Sequence, residues 1–299
     1  MERTMTRGER RNLFVGLAFI SPWIAGFLVF TLYPVCASLF LSFCDYDVLT
    51  SPVWIGTLNY SELVADSIFW KSLYNTLFFA AFSLPLGLVM SLLVAVLLNQ
   101  SVRGRSTFRA IFFLPSLIPV VASSVLWLWI LNGNFGLLNE ALRALGISHP
   151  PQWLSDPAWT KPSLVLMSLW GVGSSMVIYL TALQDVPRSL YESAELDGAG
   201  AWSKFVHITL PLISPVIYFN LIMGIIGSIQ VFSQGYIMMP AGGPQRSSLF
   251  CAVYLFLNAF EYRQMGYACA MAWVLFLLIL LLTWLATRGT RKMIFYTGE

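Results

Sequence analysis

Hydrophobic and polar positions in this chain fall in long blocks, not in a short alternation. Residues 13–41, 73–98, 110–131, 162–183, 208–232 and 264–287 contain no Asp, Glu, Lys or Arg. A helix rises about 1.5 Å per residue, so about 20 residues cross about 30 Å of hydrocarbon. Each block is long enough. No water reaches the backbone there, so each block must satisfy its own hydrogen bonds as a helix. A membrane β-barrel would instead show strands of about ten residues with alternating polarity. The pattern predicts an all-α, polytopic membrane protein with six transmembrane helices.

Shorter patterns fill the connections. Residues 247–260 ("SSLFCAVYLFLNAF") are apolar but too short to cross, which suits an interfacial or re-entrant helix. In 56–76, Leu58, Tyr60, Leu63, Ile68, Phe69 and Trp70 are spaced for a helix lying on the outer interface, with Trp70 and Tyr74 anchoring the second span. The 132–161 connection predicts a helix over Leu137 to Leu145, stopped by Gly146 and followed by Pro150 and Pro151. Prolines 22, 34, 85, 115, 119, 211 and 215 fall in or beside the spans, where they kink helices. No loop is long enough for a separate soluble domain.

Composition sharpens the membrane reading. The chain is 58% apolar and 10% charged, with mean hydropathy +0.73, where soluble domains carry about 25% charged residues. With six spans, one side holds Arg3, Arg7, Arg10, Arg11, Arg103, Arg105, Arg109, Arg188, Lys204, Arg288, Arg291 and Lys292. The other holds Lys71, Arg143, Lys161, Arg246 and Arg263. Positive charge concentrates on cytoplasmic loops, so both termini and the 184–207 loop are expected in the cytoplasm. The net charge of +3 then reflects orientation and gives no nucleic-acid footprint. The basic start precedes an apolar run too long for a signal peptide and without a small-residue cleavage site, so a retained first span is expected.

Several chemistries lack their residues. Cys36, Cys44, Cys251 and Cys269 have no metal or redox spacing, and Cys44 and Cys251, both on the outer side, are expected to stay unpaired. The histidines at 149 and 207 are far apart, and no metal site or catalytic triad is expected. There is no GxxxxGK[ST] phosphate loop, and "DGAGAW" follows a helical stretch where a dinucleotide fingerprint would need a strand. The spans also lack the carboxylates that ion-coupled carriers place near the midplane. If this chain moves solute uphill, the energy must enter through a contact on its polar surface. The alternative is a self-sufficient secondary carrier or channel for a neutral solute. A membrane enzyme acting on lipid-linked sugar would need clustered acids, bases or metal ligands, and none cluster.

The 184–207 loop is the candidate contact. Pro187 suits a first helical turn with Asp185 as cap, "RSLYESAEL" is rich in helix formers, and Gly198 supplies a left-handed stop. Barely three turns long, such a helix is marginal alone and needs a surface to press against. After Gly200 the chain restarts as a helix that enters the fifth span at Pro211. The loop's net charge of minus two (Asp185, Glu192, Glu195 and Asp197 against Arg188 and Lys204) fits a docking surface.

Glu192, Ser193, Ala194, Asp197, Gly198, Ile208, Leu210 and Pro211 lie in a stretch that resembles the "EAA" loop, EAA-x3-G-x9-I-x-LP, of permease subunits of binding-protein-dependent ABC importers. Ser193 for alanine is the one departure, small for small. "NYSELVADSIFWKSLYNT", "RGRSTFRAIFFLPSLIP", "NFGLLN", "AGGP" and "MGYACAMAWVLFLLILLLT" look like the carbohydrate branch, similar to the larger maltose permease subunit and the glycerol-3-phosphate and lactose permeases. That maltose subunit's large outer domain and extra N-terminal spans are absent here. The resemblance implies a type I ABC importer permease fold in a bacterial cytoplasmic (inner) membrane: an N-terminal tail 1–12, a permease domain 13–287 with coupling loop 184–207, and a C-terminal tail 288–299. It implies a second permease subunit as heterodimer partner, two ATP-binding subunits and an extracytoplasmic solute-binding protein. This chain would bind no cofactor, since ATP and Mg belong to the partner ATPases, and it would be no enzyme. By the same analogy, Glu192 and Gly198 sit in an ATPase cleft whose closure tilts the loop and its spans.

A pathway for solute is expected on two spans. Asn220, Gly224, Gly227, Ser228 and Val231 recur at helical spacing on the fifth, and Trp170, Gly171 and Ser174 form a similar set on the fourth. Sugars suit such surfaces, packing on aromatic faces and bonding to amides and hydroxyls. Close packing between helices explains the same small residues equally well.

Overall fold

The structure is a computed structural model that describes residues 7–100 and 103–291. Arg3 and Lys292, both used in the charge argument, lie outside the described residues with the rest of 1–6 and 292–299. The chain divides into two compact units, residues 1–65 with 257–273 and residues 66–256 with 274–299.

In the first unit, α1 (Arg7–Phe27) and α2 (Tyr33–Leu41) are joined by a π-helical turn, Leu28–Leu32. The turn ends just before Pro34, and its wider i→i+5 spacing absorbs the missing N–H and the clash with the carbonyl four residues back. Phe14, Phe19, Trp23, Phe30 and Tyr33 are exposed along this run, as a lipid-facing helix requires. A short ribbon follows, β1 (Cys44–Asp45) antiparallel to β2 (Val53–Trp54), and then α3 (Leu58–Ala65). Asn59, buried in α3, donates to the carbonyls of Ser42 and Cys44 at 2.9 Å each and fixes the ribbon.

The second unit begins with α4 (Ser67–Asn99), 33 residues long. Asp66 caps it by accepting from the Ile68 amide at 2.7 Å. This corrects the expected interfacial helix over 56–76: the cap breaks the segment, and residues 67–76 are the first turns of a spanning helix. The next expected span, 110–131, is likewise broken. Helix α5 (Arg105–Leu117) and helix α6 (Val120–Ile130) meet at 100°, because Ile118, preceding Pro119, is held extended at ψ 127°. Then come α7 (Leu137–Ala144), α8 (Pro157–Trp170) and α9 (Gly173–Gln184), the last two bent by 46°. Gly146 stops α7 at φ +91° as expected, with Ile147 N–H reaching the Leu142 carbonyl at 3.0 Å.

Helix α10 (Arg188–Leu196) and α11 (Ala201–Lys204) form the elbow before α12 (Leu210–Ile229), with a second π turn, Phe205–Thr209, just ahead of Pro211. Helix α13 (Ser233–Met238) and α14 (Cys251–Phe256) are short, and α15 (Met265–Thr290) is long. Four apolar runs are long enough to span, and the two bent pairs bring the number to six. Residues Cys251–Glu261 form a shorter apolar helix, in the place expected for a non-crossing one. The four cysteines carry free thiols.

Helix α4 is the centre of the second unit, packing on α8, α9 and α12. Its core cluster joins Val94, Ala95 and Leu98 to Met176, Tyr179, Leu180 and Leu183 of α9 and to Ile213 of α12. A Cβ on Gly173 would lie 2.4 Å from the Phe112 carbonyl oxygen. The glycine lets α9 and α5 touch backbone to backbone, the close approach that substitutes for a hydrophobic drive inside lipid.

Candidate functional site: an elbow and a polar cavity

The elbow is built from local rules. Helix α10 starts at Pro187 without a side-chain cap; Asp185, expected to supply one, ends α9 instead. Its other end is a complete Schellman motif. Gly198 takes φ +77°, its N–H bonds the Glu195 carbonyl at 3.0 Å, and Ala199 N–H bonds that of Ala194 at 2.8 Å. Gly200 keeps an ordinary extended backbone, φ −71°.

Two side-chain links brace the bend. Lys204 donates to Glu195 at 2.6 Å, and the hydroxyls of Tyr191 and Thr209 pair at 2.8 Å. Tyr191 and Ile208 also pack on the core cluster of α4, α9 and α12. Glu192, Ser193, Asp197 and Gly198 are exposed, while Ala194, Ile208, Leu210 and Pro211 are half-buried. Composition alone did not single out Leu196 and Trp202, which stand 91% and 76% exposed on the same elbow.

The second feature is a cavity of about 590 Å³ between α4, α8, α9, α12 and the start of α13, within the range of small-molecule sites. Asn220, Gly224, Gly227, Ser228 and Val231 all line it, and so does Gly171. Trp170 and Ser174 do not. Trp170 packs edge-on against Trp127, with centroids 6.1 Å apart, and Ser174 is exposed elsewhere. On this side Ser168, Gly171 and Ser175 supply the wall, a 3- and 4-residue spacing that places them on one face. Of the expected set, Gly171 shares that face, and Trp170 and Ser174 do not.

Close packing and open space divide the small residues. A Cβ on Gly224 would lie 2.3 Å from Leu84 Cδ1, whereas one on Gly227 would meet nothing within 4 Å. Among the described residues, no charged side chain lines the cavity. Ser83, Ser175, Gln230 and Gln234 do line it, and among the described residues none of these four makes a side-chain hydrogen bond. Phe232, at its edge, stacks on Tyr236 with centroids 5.3 Å apart. The wall thus offers unspent amide and hydroxyl groups beside a fixed aromatic face, suited to a neutral polyhydroxylated solute. Sequence periodicity missed Ser83 because α4 reads as uniformly apolar, yet the buried polar residues Ser72, Asn75, Thr76, Ser83 and Ser91 share its inward side.

At another edge of this unit, the "AGGP" segment holds positive φ at Ala241, Gly242, Gly243, Gln245 and Arg246. Lys71 donates to the Gln245 carbonyl, and Asn75 donates to those of Arg246 and Leu249 at 2.9 and 3.0 Å. The left-handed backbone is held from α4.

Comparison with known proteins agrees with this architecture. The family described as "Binding-protein-dependent transport system inner membrane component" matches residues 83–294. The chain is 41% identical to the probable ABC transporter permease protein YesP of Bacillus subtilis (strain 168), over 98% of this chain and 96% of that protein. It is 34% identical to the lactose transport system permease protein LacF of Rhizobium radiobacter, over 93% and 94%. A solved bacterial ABC transporter involved in import of the acidic polysaccharide alginate contains a chain with 25% identity and TM-score 0.82, covering 94% of this chain and 96% of that one. The chain belongs to the family of binding-protein-dependent transport system inner membrane components, as a membrane permease of the ABC importer type.

Proposed function

We propose that this chain is the permease subunit through which an ATP-driven importer passes a sugar or sugar derivative. It pairs with a second permease subunit, two ATP-binding subunits and an extracytoplasmic solute-binding protein, with both termini and the 184–207 elbow in the cytoplasm. ATP and Mg are held by the partner ATPases. The observation that carries the coupling role is the elbow itself: a short helix with exposed Glu192, Leu196 and Trp202, braced by Lys204 on Glu195 and keyed through Tyr191 and Ile208 into the spans. Force applied to α10 reaches α4, α9 and α12 as a rigid-body movement, which alternates access to the cavity.

Support for the solute class comes from the uncharged, hydroxyl- and amide-bearing cavity wall and from the relatives. One of them is named for lactose, another for trehalose and maltose, and a structural neighbour is described in complex with an alginate pentasaccharide-bound periplasmic protein.

The test is to replace Glu192 with Ala in the assembled transporter. Uptake should fall at least about tenfold, a loss of roughly 1.4 kcal/mol in coupling, while the permease stays inserted. Uptake at the normal rate would remove the coupling role.

A further inference from the structure

A second cavity, of about 480 Å³, lies where the end of α4, the start of α5, the end of α9 and the start of α10 converge. It shares no lining residue with the larger cavity. Its polar wall is Asn99, Arg105, Gln184, Arg188 and Tyr191. The two arginines are the first residues of α5 and α10, and neither helix has a side-chain cap at that end. First-turn N–H groups and the positive ends of two helix dipoles therefore add to two guanidinium charges.

Among the described residues no anion balances them. Among the described residues, the side chains of Arg105 and Arg188 make no hydrogen bond or ion pair. No acidic side chain lines the cavity, and Asp185, close by in sequence, pairs with neither arginine. Arg109, one turn beyond Arg105 on the same face of α5, does not line the cavity, but its Nε and Nη2 are buried with no partner. Buried guanidinium nitrogens left unpaired are costly. Two arginines facing one cavity without a counter-charge describe the protein half of an anion site.

We propose that this cavity binds a phosphate group, with Arg105 and Arg188 as its clamps. The planar fork of a guanidinium matches phosphate oxygens two at a time, and the volume admits a phosphate carrying a small substituent. The occupant would tie the start of α10 to the ends of α4 and α5 and so stiffen the elbow. Two sources fit the chemistry, an anionic phospholipid headgroup or free phosphate. That the site faces the cytoplasm rests on the importer reading given above; binding itself does not.

The experiment uses the complete transporter, purified and placed in nanodiscs of phosphatidylcholine, with or without an equal part of phosphatidylglycerol, and separately with inorganic phosphate. Native mass spectrometry reads retained lipid, and the thermal unfolding midpoint reads binding of either probe. Phosphatidylglycerol is expected to stay bound and to raise the midpoint. The Arg105→Gln, Arg188→Gln pair should weaken retention at least about tenfold, and the Arg105→Lys, Arg188→Lys pair, which keeps charge but loses the fork, should fall between. A midpoint raised by inorganic phosphate alone, and only in the unsubstituted protein, assigns the site to free phosphate. Equal retention and equal midpoints for the unsubstituted protein and the lysine pair, or the glutamine pair where it assembles, would overturn the proposal. Uptake is not read, so this result and the Glu192 test stand or fall separately.

Discussion

At Gly198 the backbone takes φ +77°, a region where a Cβ meets the chain's own carbonyl. A Cβ there has free space around it, so any substitution penalty is one of backbone strain. Gly198→Ala should destabilise the end of α10 by about 1 kcal/mol and reduce uptake several-fold, whereas Gly200→Ala, at ordinary φ with equally open surroundings, should leave uptake unchanged. Transport assays on membranes with matched permease content read both. The glycines of α12 separate by a different rule. Gly224→Val drives a side chain into Leu84 and should cost roughly 1–3 kcal/mol of stability, regained with Leu84→Ala. Gly227→Trp should leave the unfolding midpoint of the purified transporter in place and stop uptake by filling the cavity. Stability lost at Gly227 and kept at Gly224 would reverse the two roles.

The elbow is the element whose construction decides coupling. Its Lys204 to Glu195 ion pair is half exposed, so a double-mutant cycle with Lys204→Met and Glu195→Gln should return less than about 1 kcal/mol. Tyr191→Phe removes one hydroxyl pair with Thr209 and should cost about 1 kcal/mol. Together these changes should speed amide hydrogen exchange across 188–199 with little effect on the core of α4. Exchange that accelerates equally throughout α4 would mean that the elbow is no separate brace. Much of this element was legible beforehand: Glu192, Gly198 and Pro211 announced helix, stop and restart. Its bracing was not, because Tyr191 and Thr209 are 18 residues apart and only the bend brings their hydroxyls to 2.8 Å.

On the scale of the whole molecule, the described residues contain no metal-holding cluster, and the spans that form the cavity carry no charge of their own on its wall. On the importer reading proposed above, the chain reconstituted alone should give no concentrative uptake in liposomes, and solute accumulation should appear only when the second permease, the ATPases, the binding protein and ATP are supplied. Accumulation by the isolated chain, read as radiolabelled sugar retained in vesicles, would favour the self-sufficient carrier instead.

Blocks of about 25 uncharged residues determined by themselves that this chain is a helical membrane protein with six apolar segments, since a backbone in hydrocarbon has few other ways to satisfy its polar groups. The elbow's stop at Gly198 and the face of α12 that lines the cavity were also set locally, by backbone strain and by helical period. Tertiary structure alone decided the phase of Ser168 and Ser175, the division of labour between Gly224 and Gly227, and the meeting of Arg105 with Arg188. Each of these depends on which segments pack side by side, and a linear pattern of polarity carries no information about that distance.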